Sequence, residues 1–588
     1  MNKQERDILL LLIKKTYTSQ RVLAEESGYS LGTVNQSIKT LIITGYLNEQ
    51  IQPTQKAREE IKNKEPKNAI ILAAGFGMRM VPINTEVPKG LLEVHGEPLI
   101  ERIIKQLHEV GITQIYMVVG FMKEKYEYLI DEYGVELVVN PEYAQKNNLH
   151  SLKKAMHYID NSYIIPCDIW CENNPFSSNE LYSWYMVRDD FDEESSVRVN
   201  RKMELVLCNE KSAGNTMIGI SYLEGECAQF VRERITLLCQ DHKYDDAFWE
   251  DALYQKYRMI VQAKVVRKLD AIEIDTYEQL RELDGKSNQL RTDAFEIISK
   301  ELCVDYKKIT DISVLKKGMT NRSFLFTCNH EKYIMRIPGE GTDQLINRYE
   351  EAAVYEEIRG KNICDDPIYI NPENGYKITR FLNNARTCDA DNIDDLKVCM
   401  NKLREFHEMG LAVEHEFDIF SKIDFYESLW EGKSSVYRDY QKTKEKVLSL
   451  RAFIENQKPK KALTHIDAVP DNFLFYTKED GTDEVQLTDW EYAGMQDPHV
   501  DIAMFCIYSL YDREQVDRLI SIYFAEGCED YIRIKIYAYI AMCGLLWSNW
   551  CEYKRNLGIE FGEYSLRQYR YAKDYYKIVK EELLILKE

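Results

Sequence analysis

A chain of 588 residues is long enough for roughly three to five folding units and excludes a single hydrophobic core. With 45% hydrophobic and 29% charged residues, 27 Gly and 14 Pro, disordered and collagen-like classes are excluded, and a formal charge of −21 excludes a nucleic-acid coat. The 14 Cys form no C-x-x-C pair, residues 1–10 lack the apolar core of a signal peptide, and no apolar run reaches the roughly eighteen residues of a membrane span, so a reducing cytoplasm and no membrane contact are expected.

Apolar spacing predicts helices over 5–15, 19–26 and 31–44, with Gly28 breaking the second and Gly45 stopping the third. Residues 1–66 hold ten Lys or Arg against eight Asp or Glu, so the rest of the chain carries about −23. Two short helices joined by a glycine turn, then a strand-turn ending near Pro53, resemble a winged helix-turn-helix domain over 1–64. Leu31 to Ile43 would be its recognition helix, presenting Ser30, Thr33, Gln36, Ser37 and Lys39 to DNA. The alternative is a three-helix packing or dimerisation module. So few cations imply that useful DNA affinity needs a homodimer. The polar stretch 61–68 reads as a linker.

From 67 to 286, strands Ala69–Ala73, Ile115–Val119, Val135–Val139 and Tyr163–Cys167 alternate with helices such as Leu99–Glu109, which predicts a parallel, doubly wound α/β sheet. The segment Ala69-Ile-Ile-Leu-Ala-Ala-Gly-Phe-Gly-Met-Arg79 ends a buried strand in two glycines and a cation, and Val87-Pro-Lys-Gly-Leu-Leu92 adds a second cation. Glycines let backbone approach a nucleotide, and Arg79 and Lys89 can neutralise triphosphate charge during attack at the α-phosphorus. This block resembles the nucleoside-triphosphate transferase superfamily. The resemblance implies nucleotide contacts from Ala73, Ala74, Gly75, Gly77, Arg79 and Lys89, with Arg79 and Lys89 catalytic. Met78 stands where that family has Ser or Thr.

Asp168 ends a strand and Asp275 lies in Ala271-Ile-Glu-Ile-Asp275. The resemblance makes both Mg²⁺ ligands, although Asp275 taken alone reads equally well as a helix N-cap. The stretch 140–151 is similar to the substrate loop of phosphocholine cytidylyltransferases, with Asn147 and Ser151 at matching positions. Trp249 and Glu250 could offer an indole face and a carboxylate to a quaternary ammonium group, or Trp249 could be a packed core aromatic.

A further shift precedes residues 290–588, where strand-like Ser323–Thr327 and Tyr333–Ile337 lead into a long, tyrosine-rich helical region. His465-x-Asp467-x-x-x-x-Asn472 and Asp489-Trp-Glu491-Tyr-Ala suit a proton acceptor, a metal-binding amide and a second metal-binding carboxylate. The pair resembles the choline and ethanolamine kinase family. That implies Asp467 as catalytic base, Asn472 and Asp489 on Mg²⁺, and Asn321, Arg336 and Glu351 at ATP, with Glu351 favoured over Glu350. Trp547, Trp550 and Tyr564 would surround choline, with Glu491 as the nearby carboxylate; spacing alone also fits core aromatics.

The expected fold class is therefore multidomain α/β and α+β: a winged helix, a doubly wound α/β nucleotidyltransferase and a bilobal protein kinase-like fold. The expected function is conversion of choline and ATP to phosphocholine, then of phosphocholine and CTP to CDP-choline and diphosphate. Two alternatives stand: a sugar-1-phosphate nucleotidyltransferase joined to an ethanolamine or aminoglycoside-like kinase, and a DNA-binding regulator with ligand-sensing, enzyme-like domains.

Overall fold

Ser19 and Ser30 accept backbone hydrogen bonds from Val22 and Thr33, and each thereby starts a helix. In this computed structural model the helices run Lys3–Lys14, Gln20–Ser27 and Leu31–Ile43, close to the predicted spans. The structure describes residues 1–208, 213–315, 321–339, 345–364, 366–478, 480–556 and 561–586; the side chains of Met78, Thr85, Asn321 and Arg322 are outside it. The chain divides into two units, Met1–Thr292 and Asp293–Glu588.

Ile8, Leu9, Val34, Ile38 and Leu41 form the core of the helical module. Ser37 belongs to that buried face at 4% exposure, so it does not join Ser30, Gln36 and Lys39 outside. The expected linker, 61–68, begins inside a helix that ends at Asn63. Thr54 caps a fourth helix, Gln55–Asn63, and Ala57 and Ile61, four residues apart, bury one side of it. The module is anchored to the α/β part of its own unit: Asp7 accepts hydrogen bonds from Tyr29 and, at 2.6 Å, from Tyr182, and Lys64 pairs with Glu224 at 3.2 Å. Leu181 inserts into the helical core, and burial of such a side chain contributes about 2 kcal/mol.

Strands Glu136–Val139, Ile115–Val119, Asn68–Ala73 and Ser162–Pro166 lie parallel in that order. Ile71 faces one apolar layer while Ile70 and Leu72 face the other, as a doubly wound sheet requires. The sheet is not parallel throughout. Gly214–Leu223 joins Ser162–Pro166 antiparallel, followed by Trp184–Asp192, Arg258–Val266, Glu204–Leu207 and Val197–Val199. Asn68–Ala73 has later strands on both sides, so a crevice opens at its C-terminal end, where the glycine segment begins.

The second unit starts with a five-stranded antiparallel sheet, in which Asn321–Cys328 pairs with Glu331–Pro338, beside the helix Arg348–Ile358. A helical lobe follows, built around Asp530–Asn556, which is buried along most of its 27 residues and packs on Glu563–Ile585. Two small hairpin-like pairs, Ala462–Thr464 with Gly494–Gln496 and Phe473–Thr477 with Asp483–Leu487, present the two motif loops. Among the described residues no helix is long and apolar enough to cross a membrane.

Candidate active sites

In the first unit, Ala73 ends its strand and the Ala74 carbonyl accepts the Phe121 N–H at 3.1 Å, which leaves Gly75 exposed at the crevice. Gly77 has φ +60°, and a Cβ there would lie 3.4 Å from the Lys89 side chain. Asn84, which the sequence reading missed, donates its amide to Phe76 O and Gly77 O at 3.1 Å each and so fixes the glycine turn. Antiparallel pairing of Ile169–Cys171 with Ala271–Glu273 brings Asp168, Glu273 and Asp275 together, with ligand oxygens within 4.8 Å of one another.

Lys89 is ion-paired with both Asp168 and Asp275, and Arg79 reaches Asp275 at 2.8 Å while staying 66% exposed. Burial opposes the charge on the Lys89 ammonium, yet Asp168 and Asp275 hold it above its ordinary value. Burial, then Asp168 and Asp275, push the Glu273 carboxyl up to about 8. Glu273 was legible in principle, because residues two apart in a strand share a face. Asp275 is not the helix cap; Thr276 is.

The helix Asn148–Ala155 packs on the turn Trp249–Leu253, with Asn148 Oδ1 accepting the Trp249 N–H at 2.7 Å, and the four expected substrate residues have different surroundings. Asn147 caps the helix Asn148–Ala155 and donates to Asp246 O at 3.0 Å, and Ser151 is buried, accepting from Asn140 at 3.0 Å. Trp249 takes the packed-core alternative: it is 1% exposed, inside the apolar layer with Leu149 and Leu253, and its ring is 5.9 Å from Tyr185. The short turn Trp249–Leu253 is clamped between two helices, which closes the indole to an incoming cation. Glu250 is different. Tyr185 donates to its Oε1 at 3.0 Å, Oε2 is buried without a hydrogen-bond partner among the described residues, and burial raises its carboxyl to about 7.

In the second unit a cavity of about 790 Å³ is lined by Arg336, Asp467, Asn472 and Asp489 at one end and Trp547, Trp550 and Tyr564 at the other. Asn472 donates to Asp467 O at 2.8 Å and to its Oδ2 at 3.1 Å. Burial first, then the charges of Asp489 and Glu491, lift the Asp467 carboxyl to about 8. Asp501 accepts the His465 and Ile466 N–H groups at 3.0 and 2.7 Å, holding Ile466 at φ +72° beside Asp467. Arg336 makes a two-pronged pair with Glu351, one prong at 2.9 Å, and Glu351 rather than Glu350 is the buried partner. Although burial disfavours its charge, Arg336 keeps the Glu351 carboxyl down at about 2.

Glu491 also lines this cavity, but its carboxylate already has a partner. It is 7% exposed and 3.4 Å from the Arg348 guanidinium, a partner supplied by the helix that also carries Glu351. The aromatic end is continuous: Trp547 to Trp550 is 5.3 Å, Trp550 to Phe561 5.1 Å and Phe561 to Tyr564 6.4 Å between ring centroids. Tyr492, 6.0 Å from Trp547, and Tyr508, 6.3 Å from Tyr564, complete it and were missed. Tyr492 directly follows Glu491, and that adjacency was the signal available. Residues 316–320 and the Asn321 side chain lie outside the described residues.

Three family models match in chain order: winged helix-turn-helix DNA-binding over 1–47, MobA-like NTP transferase domain over 69–176, and choline/ethanolamine kinase over 312–521. The choline-phosphate cytidylyltransferase of Streptococcus pneumoniae is 32% identical over 248 residues, 42% of this chain and 97% of the relative. The 2-aminoethylphosphonate cytidylyltransferase of Lancefieldella rimae is 29% identical over 36% of this chain and 91% of its own. Protein LicA of Haemophilus influenzae is 27% identical over 42% of this chain and 96% of its own. The chain thus belongs to the choline-phosphate cytidylyltransferase family, and it carries on the same polypeptide a winged helix-turn-helix domain and a choline/ethanolamine kinase domain.

Proposed function

We propose that the second unit transfers the γ-phosphoryl group of ATP to choline, and that the first joins the resulting phosphocholine to CMP from CTP, releasing diphosphate. The observation that carries this reading is the single cavity joining Asp467, Asn472 and Asp489 to the Trp547, Trp550, Phe561 and Tyr564 rings. A quaternary ammonium has no N–H to donate and is held best by ring faces, while choline's hydroxyl can be directed at Asp467. Asp467 would take the hydroxyl proton, with its orientation fixed by Asn472. Arg336, aligned by Glu351, would hold ATP phosphate oxygens.

Mg²⁺ fits both sites. Carboxylate and amide oxygens suit a hard cation, and Asp168 Oδ1 is buried with no hydrogen-bond partner among the described residues. Asp168 and Asp275, joined by Glu273, would hold it in the transferase, and Asn472 and Asp489 in the kinase. When bound it neutralises phosphate charge and helps align nucleophile and leaving group. Lys89 and Arg79 would then move from their carboxylate partners to the triphosphate, a short shift for Arg79 because most of its side chain is exposed. Ala73, Ala74, Gly75 and Gly77 would lie along the nucleotide.

A second transferase substrate class has its own support. The unpartnered Glu250 Oε2 would be satisfied by a primary ammonium but not by a quaternary one, and one relative is named for 2-aminoethylphosphonate. Cytidylyl transfer measured with phosphocholine, phosphoethanolamine and 2-aminoethylphosphonate decides: kcat/KM highest for phosphocholine supports the main reading, and preference for a primary amine replaces it. For the kinase, Trp547→Ala is expected to raise the choline KM about tenfold, with the ATP KM within about twofold, because a desolvated cation-π contact contributes about 1–2 kcal/mol. Equal rises in both would make Trp547 a packing residue. Residues 1–64 would contact DNA through Ser30, Thr33, Gln36 and Lys39, as a homodimer.

A further inference from the structure

Four buried charged side chains form an unbroken chain through the kinase unit: Arg336, Glu351, Arg348 and Glu491, at 5%, 1%, 6% and 7% exposure. The first link is the Arg336–Glu351 pair, and Arg336 also donates to Gly375 O at 3.0 Å. Arg348 then uses one nitrogen, Nη1, to reach Glu351 Oε2 at 2.9 Å and Glu491 Oε2 at 3.4 Å. One guanidinium therefore touches a carboxylate of the nucleotide lobe and a carboxylate of the loop that follows Asp489. Space for it is built in. Gly375 has φ +70°, and a Cβ there would come within 2.9 Å of Arg348 Nε.

The loop needs such a tether. Asp489 has φ +67°, a left-handed backbone that a side-chain-bearing residue adopts only when its surroundings impose it. On one side, Thr488 N–H is held by Asn472 O at 2.9 Å, and Trp490 Nε1 donates to Leu487 O at 2.8 Å. Beyond Asp489, the Ala493 N–H donates to Trp490 O at 3.2 Å, and Glu491 is held by Arg348. Glu351 has counter-charges in Arg336 and in the buried Lys377, so the outer pair, Arg348 with Glu491, is not required to neutralise it. Its position points to coupling between the lobes.

We propose that Arg348 is a positioning residue that ties the nucleotide-holding ion pair to the loop bearing Asp489, so that the kinase unit gains its Mg²⁺-dependent nucleotide affinity only while Arg348 bridges Glu351 and Glu491. This rests on the kinase reading above. It gives Glu491, which also lines the cavity, a part in the tether.

The test uses the full chain with both partners of the outer pair made neutral, Arg348→Met with Glu491→Gln, which leaves no buried charge without a counter-charge. A non-hydrolysable ATP analogue is titrated calorimetrically, in EDTA and in saturating Mg²⁺. Expected are an EDTA affinity within about twofold of wild type, a Mg²⁺-dependent gain in affinity reduced about tenfold, and an unchanged unfolding midpoint in EDTA. An undiminished Mg²⁺-dependent gain, or an equal loss in both buffers, overturns the proposal while leaving the kinase reading intact. Failure of wild type to bind the analogue at all overturns the kinase reading and the proposal with it. Should the double variant not fold, Glu491→Gln alone removes one carboxylate of the bridge while Arg348 stays paired with Glu351, and the same split is expected of it.

Discussion

Asp467→Asn is expected to lower choline phosphorylation about 10³-fold, while cytidylyl transfer from supplied phosphocholine keeps the wild-type rate. Asn preserves shape and the contact with Asn472 but cannot accept the hydroxyl proton, and residue 467 lies in the unit that does not contain Lys89 or Asp168. Purified variant assayed separately for the two products checks this. Loss of both activities would contradict the separation of sites. The same variant has a second signature. Burial and neighbouring carboxylates raise the Asp467 carboxyl from 3.8 to about 8, so between those values the folded state binds a proton that the unfolded chain has released. That contribution makes the metal-free kinase unit lose stability as pH rises across this window. Thermal unfolding in EDTA at pH 5.5 and pH 8 should show a smaller pH dependence in Asp467→Asn than in wild type; identical dependence would place the titration elsewhere.

Asp168→Asn is expected to lower CDP-choline formation at least about 10²-fold and to leave phosphocholine formation unchanged. The substitution removes a charge from the three-carboxylate cluster and leaves Lys89 paired with Asp275, so the ammonium is not stranded. Loss of activity should therefore come without unfolding, which circular dichroism and the unfolding midpoint verify. A transfer rate equal to wild type would remove Asp168 from the reaction.

Elements with strong periodicity were legible residue by residue. Leu99–Glu109 and Ile115–Val119 have the predicted ends, because each alternates or repeats apolar residues at the spacing of its own geometry. What local pattern cannot show is which distant segments meet. Glu273 joins Asp168 only through pairing of two three-residue strands about a hundred residues apart, and Glu491 is paired with Arg348, 143 residues earlier. The antiparallel extension of the first sheet is the same kind of fact. Strands from Trp184 to Val266 carry no local mark of direction, and long-range packing sets it.

Aromatic residues divided for a related reason. Trp249 and Trp547 both sit near carboxylates in the sequence, yet Trp249 is enclosed by two helices, whereas Trp547 stands at the wall of a cavity. The fourth helix, Gln55–Asn63, overlaps the stretch 61–68 read as linker only at residues 61–63; its nine residues are mostly charged, and only Ala57 and Ile61 pack inward. Burial of those two residues in the core of the helical module outweighs that composition.

The central claim is that one polypeptide carries choline through two successive reactions. ³¹P NMR of the purified chain with Mg²⁺, choline, ATP and CTP tests it in a single sample. A phosphocholine resonance is expected to grow as ATP is consumed and then to decline as CDP-choline and diphosphate appear. Phosphocholine that accumulates without CDP-choline, or ATP that is not consumed in the presence of choline, would contradict it.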